Sequence, residues 1–576
     1  MKEKDLITRI FLIGVALLFL PATVSADYGG QKAKFFIDSN YDSSNRQEAD
    51  ATLLRLSSKA YFYIDDGWWN SLSEQEKSTS IASIQKLGEE FDNTIYLGLT
   101  SVFGFEWKPG IDEDEKVTVL IHPMTGQAGG YFNNGDEYPT ARSPRSNQRE
   151  MVYLNAQYLN SDLAKSFLAH EFVHLITFNQ KERLRGFQEE VWLNEARAEY
   201  APTLLGYDSL GTDSNLNRRI RDFLREPSTS FISWENKRES YGALNLFTQY
   251  LVDHYGKEIL VDSLKSSQTG INSLNYALVK NGFSEDFDQI FRDWTIAVFL
   301  NDCSIGEKYC YMGPSLKNFK LIPSINFLPL TGKSRLSLTE TTQKWVGNWY
   351  KFIGGWGILK VEFVGNQAIN FRVPYITQDL AGNQALGFFE LDKYQKGEIY
   401  IPNFGRNIIS VVIIPSVEDK TVKDITTSYP FFWQASTEES SGEPISENGS
   451  SSQNIQEVLD KIAVLEKQLN SLRGELQVLL SAEQESARSC QSISQNLWYG
   501  MKNDSVYCLQ EFLKSQGEEI YPEGLVTGLF GNLTQQAVIR FQEKYFDEIL
   551  APLGLPSGTG VAGPSTRAKI NSLLGL

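Results

Sequence analysis

The stretch Phe167-Leu-Ala-His170-Glu171-Phe-Val-His174-Leu-Ile constrains this chain more than any other. Its apolar residues recur at helical spacing, and on a helix residues four apart share a face, so both imidazoles can reach one ion. Zinc suits such a pair. It takes His nitrogen at about 2.0–2.1 Å, and an open site uses three protein ligands and keeps one position for water. Glu171, next to the first His, can reach that water without occupying the metal. The chain has 4 His, and two of them make this motif, which argues against coincidence. His122, after the β-type run 117–121, and His254, in Val-Asp-His254-Tyr, stand at no ligand spacing and read as structural.

A third ligand must come from elsewhere. Trp192-Leu-Asn194-Glu195-Ala-Arg-Ala-Glu199-Tyr is again helical and offers two carboxylates one turn apart on a shared face. One can bind the ion. The other can accept the N–H of a liganding imidazole, orienting its ring and raising its basicity.

At 576 residues the chain exceeds a single hydrophobic core, which rarely grows past about 250–300 residues, so several folded units are expected. Within 27–318, strands such as 117–121 and 151–154 precede helices over 161–181, 189–201 and 243–254, an α+β order. Over 319–435 the texture changes to short β-type runs punctuated by Gly and Asn, which predicts an all-β sandwich. Residues 436–453 are rich in Ser, Glu, Gly and Asn, the composition of a flexible linker. Then Ile455, Val458, Ile462, Leu465, Leu469, Leu472, Leu476 and Leu479 follow alternating steps of three and four. That 3.5 repeat predicts a coiled-coil helix over 454–488 and a route to a homo-oligomer; a lone amphipathic helix is the alternative. Residues 489–576 read as a small all-α domain with an internal echo, Gly528-Leu-Phe-Gly531-Asn-Leu-Thr534 and Gly560-Val-Ala-Gly563-Pro-Ser-Thr566.

The ends and the cysteines speak to compartment. Lys2, Lys4 and Arg9 precede an apolar run over 10–20, and Val24-Ser25-Ala26 offers small residues for a cut, the pattern of a signal peptide over 1–26, with an uncleaved membrane anchor as the alternative. The run is shorter than the about 20 residues of a membrane span, and no second one follows. Four cysteines stand in two close pairs, Cys303 with Cys310 and Cys490 with Cys508. Three pairings are formally open, the local ones need least rearrangement, and such bridges persist outside a reducing cytosol. A net charge of −17 without a basic patch excludes nucleic acid as the main partner.

H-E-x-x-H followed by W-L-N-E-A-x-A-E resembles the gluzincin zinc metallopeptidases of thermolysin-like fold, and among them the hyicolysin family of secreted bacterial peptidases. Ala60-Tyr-Phe-Tyr-Ile-Asp-Asp66, Gly129-Gly130-Tyr131-Phe132, Met151-Val-Tyr-Leu154 and Ser240-Tyr241-Gly242-Ala243 carry the likeness over residues 35–300. It implies zinc ligands at His170, His174 and Glu195, a general base at Glu171, and a supporting role for Glu199. Ala196 departs from the Gly usual in related motifs; both are small. The implied activity is protein endopeptidase, with zinc as Lewis acid and Glu171 moving the proton. The oxyanion then needs a further donor, for which Tyr241 is the candidate.

Val506-Tyr-Cys-Leu509-Gln510, then Gly528-x-Phe530-Gly531-x-x-Thr534-x-x-Ala537-Val538-x-x-Phe541-Gln542, resembles the three-helix peptidoglycan-binding domain, with an insertion at 547–558. This implies peptidoglycan as a partner and a cell-wall-associated or extracellular location. Two other readings fit the same motifs: a catalytically inactive wall-binding protein, and a peptidoglycan hydrolase.

Overall fold

The computed structural model describes residues 26–438, apart from 127, 209–213, 330–332 and 420–423, and residues 492–574, apart from 494, 499–500, 502–503, 518, 523, 525, 554 and 556. The segments read as signal peptide and coiled coil, most of the linker, and Cys490 lie outside the described residues. The chain divides into two compact units, Met1–Leu472 and Arg473–Leu576.

The first unit opens on a six-stranded sheet. Strands β1 (Lys32–Phe36), β2 (Glu48–Leu56), β3 (Ala60–Asp65), β4 (Val117–His122), β5 (Gly130–Tyr131) and β6 (Met151–Asn155) lie in the order β1-β2-β3-β4-β6-β5. β3, β4 and β6 are parallel, and β5 forms the far edge antiparallel to β6. The three parallel strands are buried along their whole length, which explains their near-continuous apolar sequence. Their period of two still sorts the faces. Phe62, Ile64, Val119, Ile121, Val152 and Leu154 enter a large core shared with helices, whereas Tyr61, Tyr63, Leu120 and Tyr153 join Phe35 and Tyr131 in a smaller one.

Parallel neighbours need a crossover, and α1 (Glu74–Glu90) lies in the one between β3 and β4. It starts on a capping box in which Ser73 and Glu76 satisfy each other's backbone N–H, a device whose loss costs about 1 kcal/mol. The remaining helices of interest are α2 (Leu163–Thr177), α3 (Val191–Leu204), α4 (Asn215–Arg225), α5 (Arg238–Tyr255) and α6 (Phe287–Leu300). α2 is buried around its whole circumference and continues into a π-helical turn over Phe178–Arg183. Phe167, Leu168, Phe172, Val173, Leu175 and Ile176 are each at most 5% exposed. At about 1.5–3 kcal/mol per fully buried side chain, they fix the rotation of the helix and hence the direction of its polar residues.

The rest of the first unit is β-rich: β7 (Ser324–Leu328), β8 (Arg335–Thr342), β9 (Tyr350–Gly354), β10 (Gly357–Gly365), β11 (Phe371–Arg372), β12 (Pro374–Asp379), β13 (Gln384–Phe388), β14 (Lys396–Phe404), β15 (Ile408–Ile413), β16 (Ser416–Val417) and β17 (Tyr429–Glu438). One hydrogen-bonded half runs β8-β17-β10-β14 and the other β7-β9-β15-β12-β13, joined at the single pair Phe404–Ile408. Phe352 of β9 meets Trp433 of β17 edge-on at 4.9 Å, so the halves share one core, the packing of a sandwich. β17 runs through Glu438, so the first residues of the stretch read as linker are strand. Thr437 is buried there and bonded to Ser334 at 2.7 Å. Trp345 and Trp349 turn the other way, into the large core, where their indole N–H groups donate to Asp288 and to the Thr295 carbonyl. A core thus crosses the boundary read at 318/319. Cys303 and Cys310 form a disulfide, and Cys508 is disulfide-bonded as well.

In the second unit α7 (Asp504–Ser515), α8 (Asn532–Lys544) and α9 (Pro564–Leu573) enclose a core that includes Leu509, Phe530, Val538, Phe541 and Ile570. The sequence echo has a structural cause. Gln510 accepts from Thr527 N and Gly528 N at 2.7 Å and donates to Thr534 Oγ1 at 2.8 Å. Gln542 does the same for Thr559 N at 2.8 Å, Gly560 N at 3.0 Å and Thr566 Oγ1 at 2.9 Å. Each Gln satisfies the backbone of the loop that leads into the next helix. Among the described residues no helix is long and apolar enough to cross a membrane.

Candidate metal centre

α2 and α3 bring His170, His174 and Glu195 together, with one possible ligand atom from each lying within 4.8 Å of the others. The two Nε2 atoms are 3.2 Å apart, and Glu195 Oε2 lies 3.2 Å from that of His170 and 3.6 Å from that of His174. Glu195 Oε2 is nonetheless buried without a hydrogen-bond partner. Three possible ligand atoms therefore converge, a donor set that suits zinc with a fourth position left for water. Burial disfavours charge on Glu195, but the two imidazoles outweigh it and hold its carboxyl well below the usual range. His174 shows the mirror image: burial opposes its charge, yet Glu195 and then Glu171 raise it to about 9. A dication in their midst would replace that imidazole proton.

Glu199, one turn along α3, has its Oε1 3.4 Å from Nδ1 of His170, the nitrogen facing away from the cluster. It is the most heavily partnered acid here. Arg219 of α4 grips it through Nη2 at 2.5 Å and Nε at 2.9 Å, while Asn215 and Asn245 donate at 3.0 and 3.2 Å. Burial works against this carboxylate, and Arg219 more than reverses the effect, so it stays ionised. The clamp of Arg219, Asn215 and Asn245 holds the Glu199 carboxylate on the Nδ1 side of His170. Of the two carboxylates in the motif, Glu195 is the one that reaches both Nε2 atoms.

Glu171 is buried beside the cluster, and burial raises it to about 6 against the opposing pull of His170 and His174. It lies against edge strand β5. A Cβ on Gly130 would stand 2.5 Å from the Tyr153 carbonyl and 2.9 Å from Glu171 Cγ, so this approach requires glycine. Tyr241 sits in the first turn of α5, its hydroxyl donating to Asn236 at 3.1 Å and its ring under the Arg219 guanidinium at 4.5 Å. Burial raises its hydroxyl strongly, and Glu195, Glu199 and Glu171 add to that.

Other candidates fall elsewhere. His122 is fully buried 3.4 Å from Asp42, and His254 bonds the Cys310 carbonyl at 2.9 Å, both structural placements. Sequence reasoning missed Arg219 and Asn215, because Asn-Leu-Asn-Arg-Arg-Ile-Arg over 215–221 reads as a solvated helix face, and Asn245, a single amide within an apolar helix. It also missed Tyr41, which stacks on Tyr131 of β5 at 4.7 Å and feels the charge of Glu171 and Glu195. No motif marks that residue.

Comparison with known proteins bears on both units. The neutral metalloprotease ShpI of Staphylococcus hyicus is 30% identical over 223 residues, covering 33% of this chain and 48% of its own, so the chain spans about half the length of that relative. Residues 502–570 match the peptidoglycan-binding domain family. Among solved structures, a 4-O-methyl-alpha-glucuronidase with specificity for decorated arabinogalactans aligns over 57% of this chain and 52% of its own, at 9% identity and a TM-score of 0.13, too low to carry any argument. Over a third of its length the chain is a homologue of a neutral metalloprotease, and it carries a peptidoglycan-binding domain at 502–570.

Proposed function

We propose that the protein is a secreted zinc endopeptidase of thermolysin-like fold that hydrolyses peptide bonds of proteins and is held at the cell wall by its C-terminal domain. The observation that carries this reading is the convergence of His170, His174 and the unpartnered Glu195 oxygen beside a buried Glu171. His170, His174 and Glu195 would hold the metal, which supplies Lewis acidity and an activated water when bound. Glu171, buried beside the cluster with its carboxyl raised by burial, would act as the group that takes up a proton and passes it to the leaving amine. Glu199 and Arg219 keep His170 in the tautomer that presents Nε2. Tyr241 is the candidate donor to the oxyanion, once its hydroxyl leaves Asn236. β5 ends the strand order of its sheet beside Glu171, where an extended peptide could add as a further strand. The peptidase is assigned to 27–318, the sandwich from 319 through the end of β17 at Glu438, and the wall-binding module to 489–576.

Metal analysis combined with cleavage mapping, on the wild type and Glu171→Gln, tests the reading. Bound zinc and protein cleavage that vanishes in the variant support it. An inactive, metal-free wild type that still sediments with peptidoglycan would leave a wall-binding protein. Release of wall peptides from purified sacculi, without cleavage of proteins, would make it a peptidoglycan hydrolase.

A further inference from the structure

β5 closes one edge of the six-stranded sheet, and Tyr131 within it carries a stack of rings that does not stop at that edge. Tyr131 faces Tyr153 of β6 across the antiparallel pair, and their rings lie 4.1 Å apart at 10°. Tyr41, from the loop after β1, stacks on Tyr131 at 4.7 Å and 12°. Two parallel rings this close to a third cannot share one of its faces, so Tyr41 covers the face turned away from Tyr153. Neighbouring strands stand about 4.7–4.9 Å apart, and side chains facing each other across a pair lie on one side of the sheet. The three rings therefore make a ladder at strand spacing: Tyr153 on β6, Tyr131 on β5, and Tyr41 where the side chain of a further strand would stand. Tyr41 itself belongs to a turn, not to a strand.

Its loop is held firmly. The Tyr41 carbonyl accepts from Thr125 N at 2.7 Å. Asp42, next in sequence, is 0% exposed and accepts from Ser44 N and Arg46 N at 2.9 Å and from Arg46 Nη2 at 2.8 Å. Arg46 Nη1 in turn reaches Asp65 of β3 at 2.8 Å. The outermost ring is also close to the candidate metal centre. Gly130, the residue before Tyr131, packs against Glu171, and the Tyr41 hydroxyl is raised by burial and then by the charges of Glu171 and Glu195.

We propose that Tyr41 determines specificity: its ring fills the side-chain place opposite Tyr131, so a substrate strand added to β5 must present glycine or alanine at that one position. The inference rests on the peptidase reading above. An extended peptide sends successive side chains to opposite faces, so the residue opposite Tyr131 points toward the face that Tyr41 occupies. A branched or aromatic side chain there would have to enter the volume of the ring, and the braced loop resists its displacement. The place opposite Gly130, beside Glu171, is one residue along, about 3.3–3.4 Å away, so the restricted position falls within about two residues of the scissile bond.

The test maps cleavage of a denatured protein mixture by the zinc-loaded full chain, as wild type, Tyr41→Phe and Tyr41→Ala, with zinc content measured alongside. Wild type and Tyr41→Phe, which keeps the ring, should show glycine and alanine enriched at that position, with aromatic and β-branched residues excluded. Tyr41→Ala should admit large residues there and at no other position, with zinc content at wild-type level. On paired peptides that differ only at that residue, the kcat/KM ratio of alanine over phenylalanine should fall about 10–200-fold in Tyr41→Ala. Should Tyr41→Ala fail to fold, Tyr41→Val takes its place with the same expectation. Cleavage by the wild type with no position so restricted, or a restriction unchanged when the ring is removed, overturns the inference and leaves the peptidase reading standing. Absence of any cleavage by the zinc-loaded wild type overturns both.

Discussion

Two of the groups of acidic side chains buried in the first unit are handled in opposite ways. Around α2 and α3, Glu195 and Glu199 sit among two imidazoles and a guanidinium, and both are held ionised. In the β5–β6 connection, burial first and then neighbouring acids push Glu137 and Glu150 toward the protonated state, against the Ile111 N–H that Glu150 accepts. Burial is common to both groups, so burial alone does not decide the charge state. The decisive quantity is whether a cationic partner is fixed within about 4 Å, since Coulomb attraction at an effective dielectric near 20 then rivals the desolvation cost. Glu171 falls between the two, near enough to the imidazoles to be restrained and buried enough to be raised.

The largest effect that would sharpen this contrast is on turnover. Glu171→Gln should lower kcat/KM about 10²–10⁴-fold while zinc content, measured by atomic absorption, stays at wild-type level. Since a bound dication lowers the proton affinity of Glu171 from about 6, the acid limb of kcat/KM in the loaded enzyme should have its midpoint below 6. A midpoint above 6 would remove Glu171 from the role.

Converting one group into the other is the next test. Arg219→Met strips Glu199 of its clamp and should cost about 3–5 kcal/mol in denaturant unfolding, because a buried charge is left unpaired. Adding Glu199→Gln to that variant should recover much of the loss. If the double variant is no better than the single one, Arg219 acts through packing and the charge argument fails.

A smaller effect separates the two carboxylates of α3. Glu199→Gln should reduce metal affinity or activity about 10–100-fold, whereas Glu195→Ala should lower zinc content further, because it opens the coordination sphere itself. The reverse order in zinc titrations would exchange their roles.

Stability against pH tests the sign of each group. Glu199 has its folded value below the unfolded 4.5, so its contribution is full above that pH and is lost as pH falls through the lower folded value. Glu150 has its folded value raised to about 8, so its contribution is full below 4.5 and is lost as pH rises toward 8. Chemical denaturation between these limits should show stability falling with pH, and Glu150→Gln should flatten that slope. A slope unchanged in the variant would place its origin elsewhere.

The smallest expected effect lies in the second unit. Gln510→Ala and Gln542→Ala should each cost about 1–3 kcal/mol, by similar amounts, since each strips the same loop backbone groups of their partner. Unequal losses would mean that the two halves of the repeat carry different loads.

Much of this was legible from residue order. Local spacing determined the helix that presents His170, Glu171 and His174 on related faces, and the pair of carboxylates one turn apart on the next helix, because helical geometry is a property of neighbouring residues. The β texture of the later part of the first unit and the Gly-x-x-Gly-x-x-Thr echo of the second were equally local. Tertiary structure decided the rest. Which carboxylate faces both imidazoles depends on how α3 packs against α2. That Glu199 is clamped by Arg219 depends on a helix whose own sequence reads as solvent-facing. Glu137 and Glu150 were invisible as a pair, since each is an ordinary acid in a polar stretch until the β5–β6 connection folds back and buries them together. Spacing reveals what one element presents. What opposes it, and with what charge, is settled only when distant elements meet in a low-dielectric interior.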